Sequence, residues 1–111
     1  MSNEDFMKKR NELHANFQKV MPEVAENFNN LMNVVFKDGA LSKSTKELIA
    51  LGISVCVRCE PCMHYHIDHA MSAGATKEQI IEAMQVGFEM ASGYVVPPLR
   101  SVLFEHFSDQ K

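Results

Sequence analysis

Hydrophobic residues recur at intervals of three, four or seven positions along most of the chain, which is the spacing of one face of an α-helix. Six such segments are separated by proline, glycine or polar caps, and none alternates as a half-buried strand does. The predicted helices cover about residues 3–20, from Pro22 to a turn at 37–39, 45–58, 59–73, from Thr76 to a break at Gly93, and 97–107. Residues 1–111 are therefore predicted to form a single all-α domain of about six helices.

Polar caps and glycines mark the ends of these segments. Ser42 or Ser44 can cap the third helix, and Gly74 follows the fourth in a C-cap position. Thr76 and Gln79 have the spacing of a capping box at the start of the fifth helix.

The apolar faces indicate which helices are buried. The third helix is apolar on nearly every side and is predicted to be the central one. The predicted buried stripe of the fifth helix is Ile80, Ile81, Met84, Phe88 and Ala91. The sixth helix carries Leu99, Val102, Leu103 and Phe107.

Composition and charge exclude several classes of protein. Hydrophobic residues make up 46% of the chain and charged residues 23%, which is typical of a folded globular domain. The net charge is −3 and the eleven lysines and arginines are scattered, so we expect no nucleic-acid partner. Residues 1–5 lack the pattern of a secretory signal, and the longest apolar run, Leu48–Val57, is about half of what spans a bilayer. We expect no membrane partner and a reducing, cytoplasmic location.

A close pair of cysteines stands near the start of the fourth helix. At about 100° per residue, Cys59, Cys62, His66 and His69 all fall on one side of that helix. The first turn of a helix stabilises a thiolate, and Cys59 is placed best for this, while Pro61 stiffens the turn. In a reducing compartment such a pair is more often catalytic or metal-binding than a structural disulfide.

Glu47 is the second unusual residue. Its neighbours on one side of the third helix are Ala50, Leu51 and Ser54, so that a carboxyl faces a small and largely apolar surface. Burial there would disfavour its charged form and suit it to proton transfer. The alternative is that Glu47 only completes a capping box with Ser44.

Zinc binding is the main rival to redox chemistry. The candidate ligands are Cys56, Cys59, Cys62, His66 and His69. All lie within one stretch of fourteen residues, whereas structural zinc sites usually join two separate segments, so we predict neither a metal nor another cofactor. Cys56 is then predicted to be a small buried residue and His69 to support packing. A third possibility is a non-catalytic assembly protein in which the thiols are merely buried.

The chain carries Glu47, then eleven residues, and then Cys59-x-x-Cys62-x-x-x-His66. This arrangement resembles the core signature of the carboxymuconolactone decarboxylase and alkylhydroperoxidase D family. The flanking segments "LSKSTKELIALGISV" and "AGATKEQIIEAM" are also similar to that family. The resemblance covers about residues 35–107.

The resemblance implies an all-helical fold and a homo-oligomer, either a trimer or a hexamer. It also implies reduction of a small hydroperoxide or disulfide substrate at the cysteine pair. In that mechanism Cys62 attacks the peroxide and Cys59 resolves the resulting sulfenic acid. Glu47 and His66 relay protons, and a dithiol donor reopens the disulfide.

Two features leave the activity open. The helix-terminus argument makes Cys59 the more acidic thiol, whereas the resemblance makes Cys62 the one that reacts with peroxide. Pro61 stands where the characterised peroxidases of the family have a histidine that contributes to the relay. The decarboxylase branch of the family typically lacks the cysteine pair. The remaining alternative is that this chain is a decarboxylase-like member of the family with another substrate.

Overall fold

The computed structural model describes residues 2–109, and in this range all regular structure is helical. The helices are α1 (Asn3–Val20), α2 (Pro22–Phe36), α3 (Lys43–Cys56), α4 (Glu60–Ser72), α5 (Lys77–Gly93) and α6 (Val96–Phe107). The predicted all-α class is confirmed. No helix in the described range is long and apolar enough to cross a lipid bilayer.

The helix starts follow the capping rules. The Ser42 side chain accepts a hydrogen bond from the Thr45 amide at 3.1 Å, so Ser42 rather than Ser44 is the N-cap of α3. As a result α3 begins two residues earlier than the periodicity predicts, and it also ends earlier, at Cys56. The capping box of Thr76 and Gln79 is present with both of its hydrogen bonds.

The end of α4 is a Schellman motif with glycine at its left-handed position. Gly74 has φ +98°, its amide donates to the Met71 carbonyl at 3.0 Å, and the Ala75 amide donates to the Ala70 carbonyl at 2.9 Å. Glycine suits this position because it has no Cβ to clash in the left-handed region.

The end of α3 has the same motif but carries an arginine in the left-handed position. Arg58 has φ 62°, its amide donates to the Val55 carbonyl at 3.1 Å, and the Cys59 amide donates to the Ser54 carbonyl at 2.9 Å. A side chain at such a φ costs roughly 1–2 kcal/mol. The turn that leads directly into the cysteine pair is therefore strained.

The core lies where α3 packs against α4 and α5. Leu51, Ala70 and Ile80 are its buried hydrophobic residues, one from each of these helices. The backbones of α3 and α5 are in contact where the two helices cross. A Cβ atom added to Gly87 would therefore overlap the carbonyl of Gly52. The central position predicted for α3 is confirmed.

Much of the predicted buried surface is exposed in the single chain. Ile81 is 44% exposed and Phe88 69% exposed, so the predicted stripe of α5 is wrong at these two positions. The apolar residues of α6, which are Leu99, Val102, Leu103 and Phe107, are also all exposed. The radius of gyration is 18.6 Å, whereas a compact domain of this length has about 13 Å. The periodicity identifies apolar faces correctly, but no other segment of the described range covers these faces.

The two Schellman motifs predict opposite effects of substitution. Replacing Arg58 by glycine should raise the free energy of unfolding by about 0.5–1 kcal/mol, because it removes the left-handed strain. Gly74→Ala should lower it by about 1 kcal/mol for the converse reason. Urea denaturation of both variants, with the cysteines kept in one redox state, measures these changes. A destabilised Arg58→Gly variant would show that the arginine side chain contributes more than its backbone conformation costs.

Candidate active site

The two predicted cysteines meet at the start of α4. Cys59 is the N-cap of the helix, and its sulfur accepts a hydrogen bond from the Cys62 amide at 3.2 Å. The two residues are joined by a disulfide, with their Cα atoms 5.2 Å apart. Pro61 lies in the first turn, where its missing amide proton costs no hydrogen bond. The sequence therefore places one sulfur at the N-cap and the other in the first turn of α4.

The position of Cys59 has an electrostatic consequence for the reduced protein. Amide groups at the start of a helix have no partner within the helix and carry a partial positive charge. A sulfur that caps this end receives both the hydrogen bond and the field, and both favour a thiolate.

Glu47 is buried, with 1% of its surface exposed, as its position on α3 predicts. One carboxylate oxygen lies 2.8 Å from Nδ1 of His66 on α4, and the other accepts a hydrogen bond from Nζ of Lys43 at 3.1 Å. The capping alternative is wrong, because Ser42 caps α3. The surroundings of Glu47 are also more polar than its small and apolar neighbours on α3 predict. Lys43 and His66 provide the hydrogen bonds that a buried carboxylate needs.

The His66 ring is fixed on several sides. The ring of Phe36 stacks on it at a centroid distance of 5.6 Å, and Tyr65 meets it edge-on at 5.1 Å. A carboxylate only accepts hydrogen bonds, so the imidazole is the donor in its contact with Glu47. We therefore assign the proton to Nδ1, which leaves Nε2 as the nitrogen able to accept a proton.

Cys62 and His66 line the same cavity, which lies between α1, α2 and α4 and has a volume of about 450 Å³. Its walls include Phe28, Leu31 and Val35 from α2 and Arg10 from α1. Glu47 does not line this cavity. It lines a second one of about 310 Å³, together with Lys43 and His69. The carboxylate thus reaches the cavity beside Cys62 only through the imidazole.

The remaining zinc candidates lie apart from this arrangement. Cys56 is free and partly buried, and it lines a groove between α3 and α5. His69 stacks on Tyr65 at 3.9 Å, and its Nδ1 donates to the Tyr65 carbonyl at 2.9 Å. Over residues 2–109, no three histidine, cysteine or acidic side chains converge in a way that could hold a metal ion.

Sequence reasoning missed two residues of the site. Lys43 lies four positions before Glu47, a spacing that places both side chains on one helix face and was visible in the sequence. Arg10 gave no such signal, because its place at the cavity depends on how α1 packs against α4.

Comparison with known proteins gives a consistent assignment. The sequence profile of the carboxymuconolactone decarboxylase family matches residues 22–94. The crystal structure of apo-lpg0406, a carboxymuconolactone decarboxylase family protein from Legionella pneumophila, superposes with a TM-score of 0.75. That protein is 33% identical in sequence, and the superposition covers 96% of this chain and 97% of the other.

Two relatives match over shorter stretches. A Paracoccus denitrificans protein named "Uncharacterized protein 4 in cox locus" is 48% identical over 63 residues, 57% of each chain. The alkyl hydroperoxide reductase AhpD of Corynebacterium kroppenstedtii is 38% identical over 55 residues, 50% of this chain and 31% of that protein. The chain therefore matches little more than half the length of the first relative and about a third of the second. Since the family profile spans α2 to α5 and includes Glu47, both cysteines of the disulfide and His66, this chain belongs to the carboxymuconolactone decarboxylase family.

Proposed function

We propose that this protein is a thiol–disulfide oxidoreductase that reduces hydroperoxides at Cys59 and Cys62. The observation that carries the proposal is the hydrogen bond from His66 to buried Glu47, beside a cysteine pair joined by a disulfide. An imidazole held in one tautomer next to a thiol is the arrangement that activates a cysteine nucleophile. The similarity to an alkyl hydroperoxide reductase supports the same chemistry.

In the proposed reaction Cys62 is the residue that attacks the peroxide. Cys62 lines the cavity, whereas Cys59 does not. The Cys62 thiolate attacks the terminal oxygen of the hydroperoxide, the O–O bond breaks, and an alcohol leaves after taking up a proton. Cys62 is then a sulfenic acid. The Cys59 thiolate attacks the Cys62 sulfur and releases water, which forms the disulfide.

The two arguments about the cysteines are compatible in this scheme. Cys59 caps α4, so its thiolate is stabilised and available to attack the sulfenic acid. The same stabilisation makes Cys59 the better leaving group when a dithiol donor attacks the disulfide at Cys62. The donor supplies the two electrons and two protons that restore both thiols.

His66 moves the proton in this scheme, and Glu47 and Lys43 position it. Nε2 accepts the proton of the Cys62 thiol and later passes it to the departing alkoxide. Glu47 holds Nδ1 and stabilises the imidazolium that forms in between. Lys43 donates a hydrogen bond to the other carboxylate oxygen at 3.1 Å and so holds Glu47 in place.

Single cysteine replacements test the proposed order. Cys62→Ser should abolish hydroperoxide consumption with a dithiol reductant. Cys59→Ser should consume one equivalent of hydroperoxide, accumulate a sulfenic acid that dimedone traps, and then stop. Mass spectrometry of the trapped adduct identifies the modified residue.

Cys56→Ser is the matched control, because this thiol lies in another groove and should be dispensable. Parental activity in both Cys59→Ser and Cys62→Ser would refute the dithiol mechanism. A disulfide that exchanges with dithiols while no hydroperoxide is consumed would restrict the function to disulfide reduction. In that case the histidine that Pro61 replaces in the family's peroxidases would be the relay group that is lacking.

Glu47→Gln tests the proton relay. The amide can still accept a hydrogen bond from Nδ1, so the free energy of unfolding should fall by no more than about 1 kcal/mol. The imidazolium loses its counter-charge, and kcat/KM for hydroperoxide should fall by about 100-fold. A loss of kcat/KM far larger than the change in the free energy of unfolding distinguishes a lost counter-charge from simple destabilisation.

Lys46→Gln on the same helix removes an exposed ammonium group that contacts only a backbone carbonyl, and it should leave turnover unchanged. If Glu47→Gln lowers stability but keeps full turnover, Glu47 serves only to join α3 to α4.

We also propose that the chain assembles into a homo-oligomer. Large hydrophobic residues are exposed on every helix, and none of the residues of α6 is buried. Contiguous apolar surface of this kind is characteristic of an interface between proteins. A second copy would cover the apolar faces of α5 and α6 that the single chain leaves open.

Leu103→Glu on α6 should disrupt this assembly, because it places a charge in the apolar face. In size-exclusion chromatography with light scattering, the wild type should exceed the monomer mass and Leu103→Glu should form a smaller species. Glu105→Lys changes charge on the same helix about 160° away from Leu103 and should keep the wild-type mass. A wild type that is monomeric at micromolar concentration would contradict the proposal.

A further inference from the structure

We propose that the cavity beside Cys62 selects hydroperoxides of long-chain carboxylic acids, with Arg10 binding the carboxylate and the apolar wall binding the chain. This inference rests on the proposed peroxidase function and specifies its substrate class. It also assigns a role to α1, which lies outside the region that the family profile matches.

The cavity wall favours a hydrocarbon chain over a small polar peroxide. The residues of α2 that line it include Phe28, Leu31, Met32, Val35 and Phe36. Its volume of about 450 Å³ lies within the range of roughly 300–1,000 Å³ that is usual for pockets binding drug-sized molecules. Hydrogen peroxide would leave most of this surface in contact with water, whereas an alkyl chain would cover it.

Within residues 2–109, Arg10 is the only residue lining the cavity that carries a fixed charge. Its guanidinium group lies over the Tyr65 ring at 4.6 Å from the centroid, and a side-chain hydrogen bond to Asn11 at 3.4 Å is its other polar contact. Among residues 2–109 no carboxylate lies within ion-pair distance of Arg10. Stacking on one face of the guanidinium leaves its N–H edge able to bind a carboxylate in a bidentate manner.

The position of α1 is fixed by contacts to α4 near the active site. The Phe6 ring stacks on His64 at 4.0 Å, and His64 Nδ1 donates to the Asn3 side chain at 2.8 Å. Arg10 follows Phe6 by about one helical turn and so shares its face of α1. Two contacts from α4, through His64 and Tyr65, therefore hold the cation at the cavity that Cys62 also lines.

This arrangement defines where the reactive group stands in the substrate. The carboxylate binds at Arg10, the chain lies along α2, and the peroxide oxygen reaches the Cys62 sulfur from the same cavity. The hydroperoxide therefore lies within the chain, separated from the carboxylate by methylene groups. Reduction yields the corresponding hydroxy acid, with the O–O bond cleaved and both cysteines oxidised.

The experiment compares four substrates and three variants. Steady-state kinetics with linoleate hydroperoxide, its methyl ester, cumene hydroperoxide and hydrogen peroxide are measured below the micellar concentration of the lipid. Arg10→Gln should raise KM for linoleate hydroperoxide about tenfold and leave KM for the other three unchanged. Arg10→Lys should recover part of the loss because it keeps the cation, and Lys8→Gln, on the exposed side of α1, should behave as the wild type.

Binding of hydroxylinoleate, which cannot be reduced, separates this inference from the proposed function. Calorimetry should show tight binding to the wild type and about tenfold weaker binding to Arg10→Gln. Equal losses for linoleate hydroperoxide and its ester, or equal affinity of wild type and Arg10→Gln for hydroxylinoleate, would overturn the carboxylate site. Arg10-dependent binding in a protein that reduces no hydroperoxide would support the anion site and overturn the peroxidase function instead.

Discussion

The buried carboxylate of Glu47 imposes a requirement that two helices have to meet together. A charge placed in the middle of α3 is costly unless it is paired and hydrogen-bonded. Lys43 supplies one partner from the same helix and His66 supplies the other from α4, so the packing of α3 against α4 is tied to a single orientation of the imidazole. Because Cys62 lies one turn before His66, that packing also sets where the sulfur stands. The fold and the site depend on the same contact.

The helices and the pairing of Cys59 with Cys62 could be predicted from the sequence because their signals are local. Helical periodicity and caps depend on residues three or four apart, and the disulfide joins cysteines of that spacing. Burial of Glu47 followed from its small and apolar neighbours on one helix face. Lys43 was missed although its spacing was visible, because a lysine in the first turn of a helix usually points to solvent. The sequence therefore predicted which residues form each helix.

The errors concern contacts between distant parts of the chain or beyond it. Phe88 and Leu103 lie on apolar faces as predicted, yet they are exposed, since periodicity does not tell whether the covering surface belongs to the same chain. The left-handed conformation of Arg58 was equally hidden. Glycine adopts the left-handed conformation readily, so Gly74 indicates its turn in the sequence. An arginine adopts this conformation only because the helices on both sides require it.

The separation of functions between helices has a further consequence. The sulfurs, the imidazole and the carboxylate come from α3 and α4, whereas the apolar wall and the guanidinium come from α2 and α1. His66 belongs to both groups, because it binds Glu47 on one side and lines the cavity on the other. Residues of α1 can therefore alter which molecule reaches Cys62 without disturbing the contacts that control its proton. A change at Lys43 would instead act on both groups, because its ammonium contacts Glu47 and lies 5.7 Å from the centroid of the Phe36 ring, which lines the cavity.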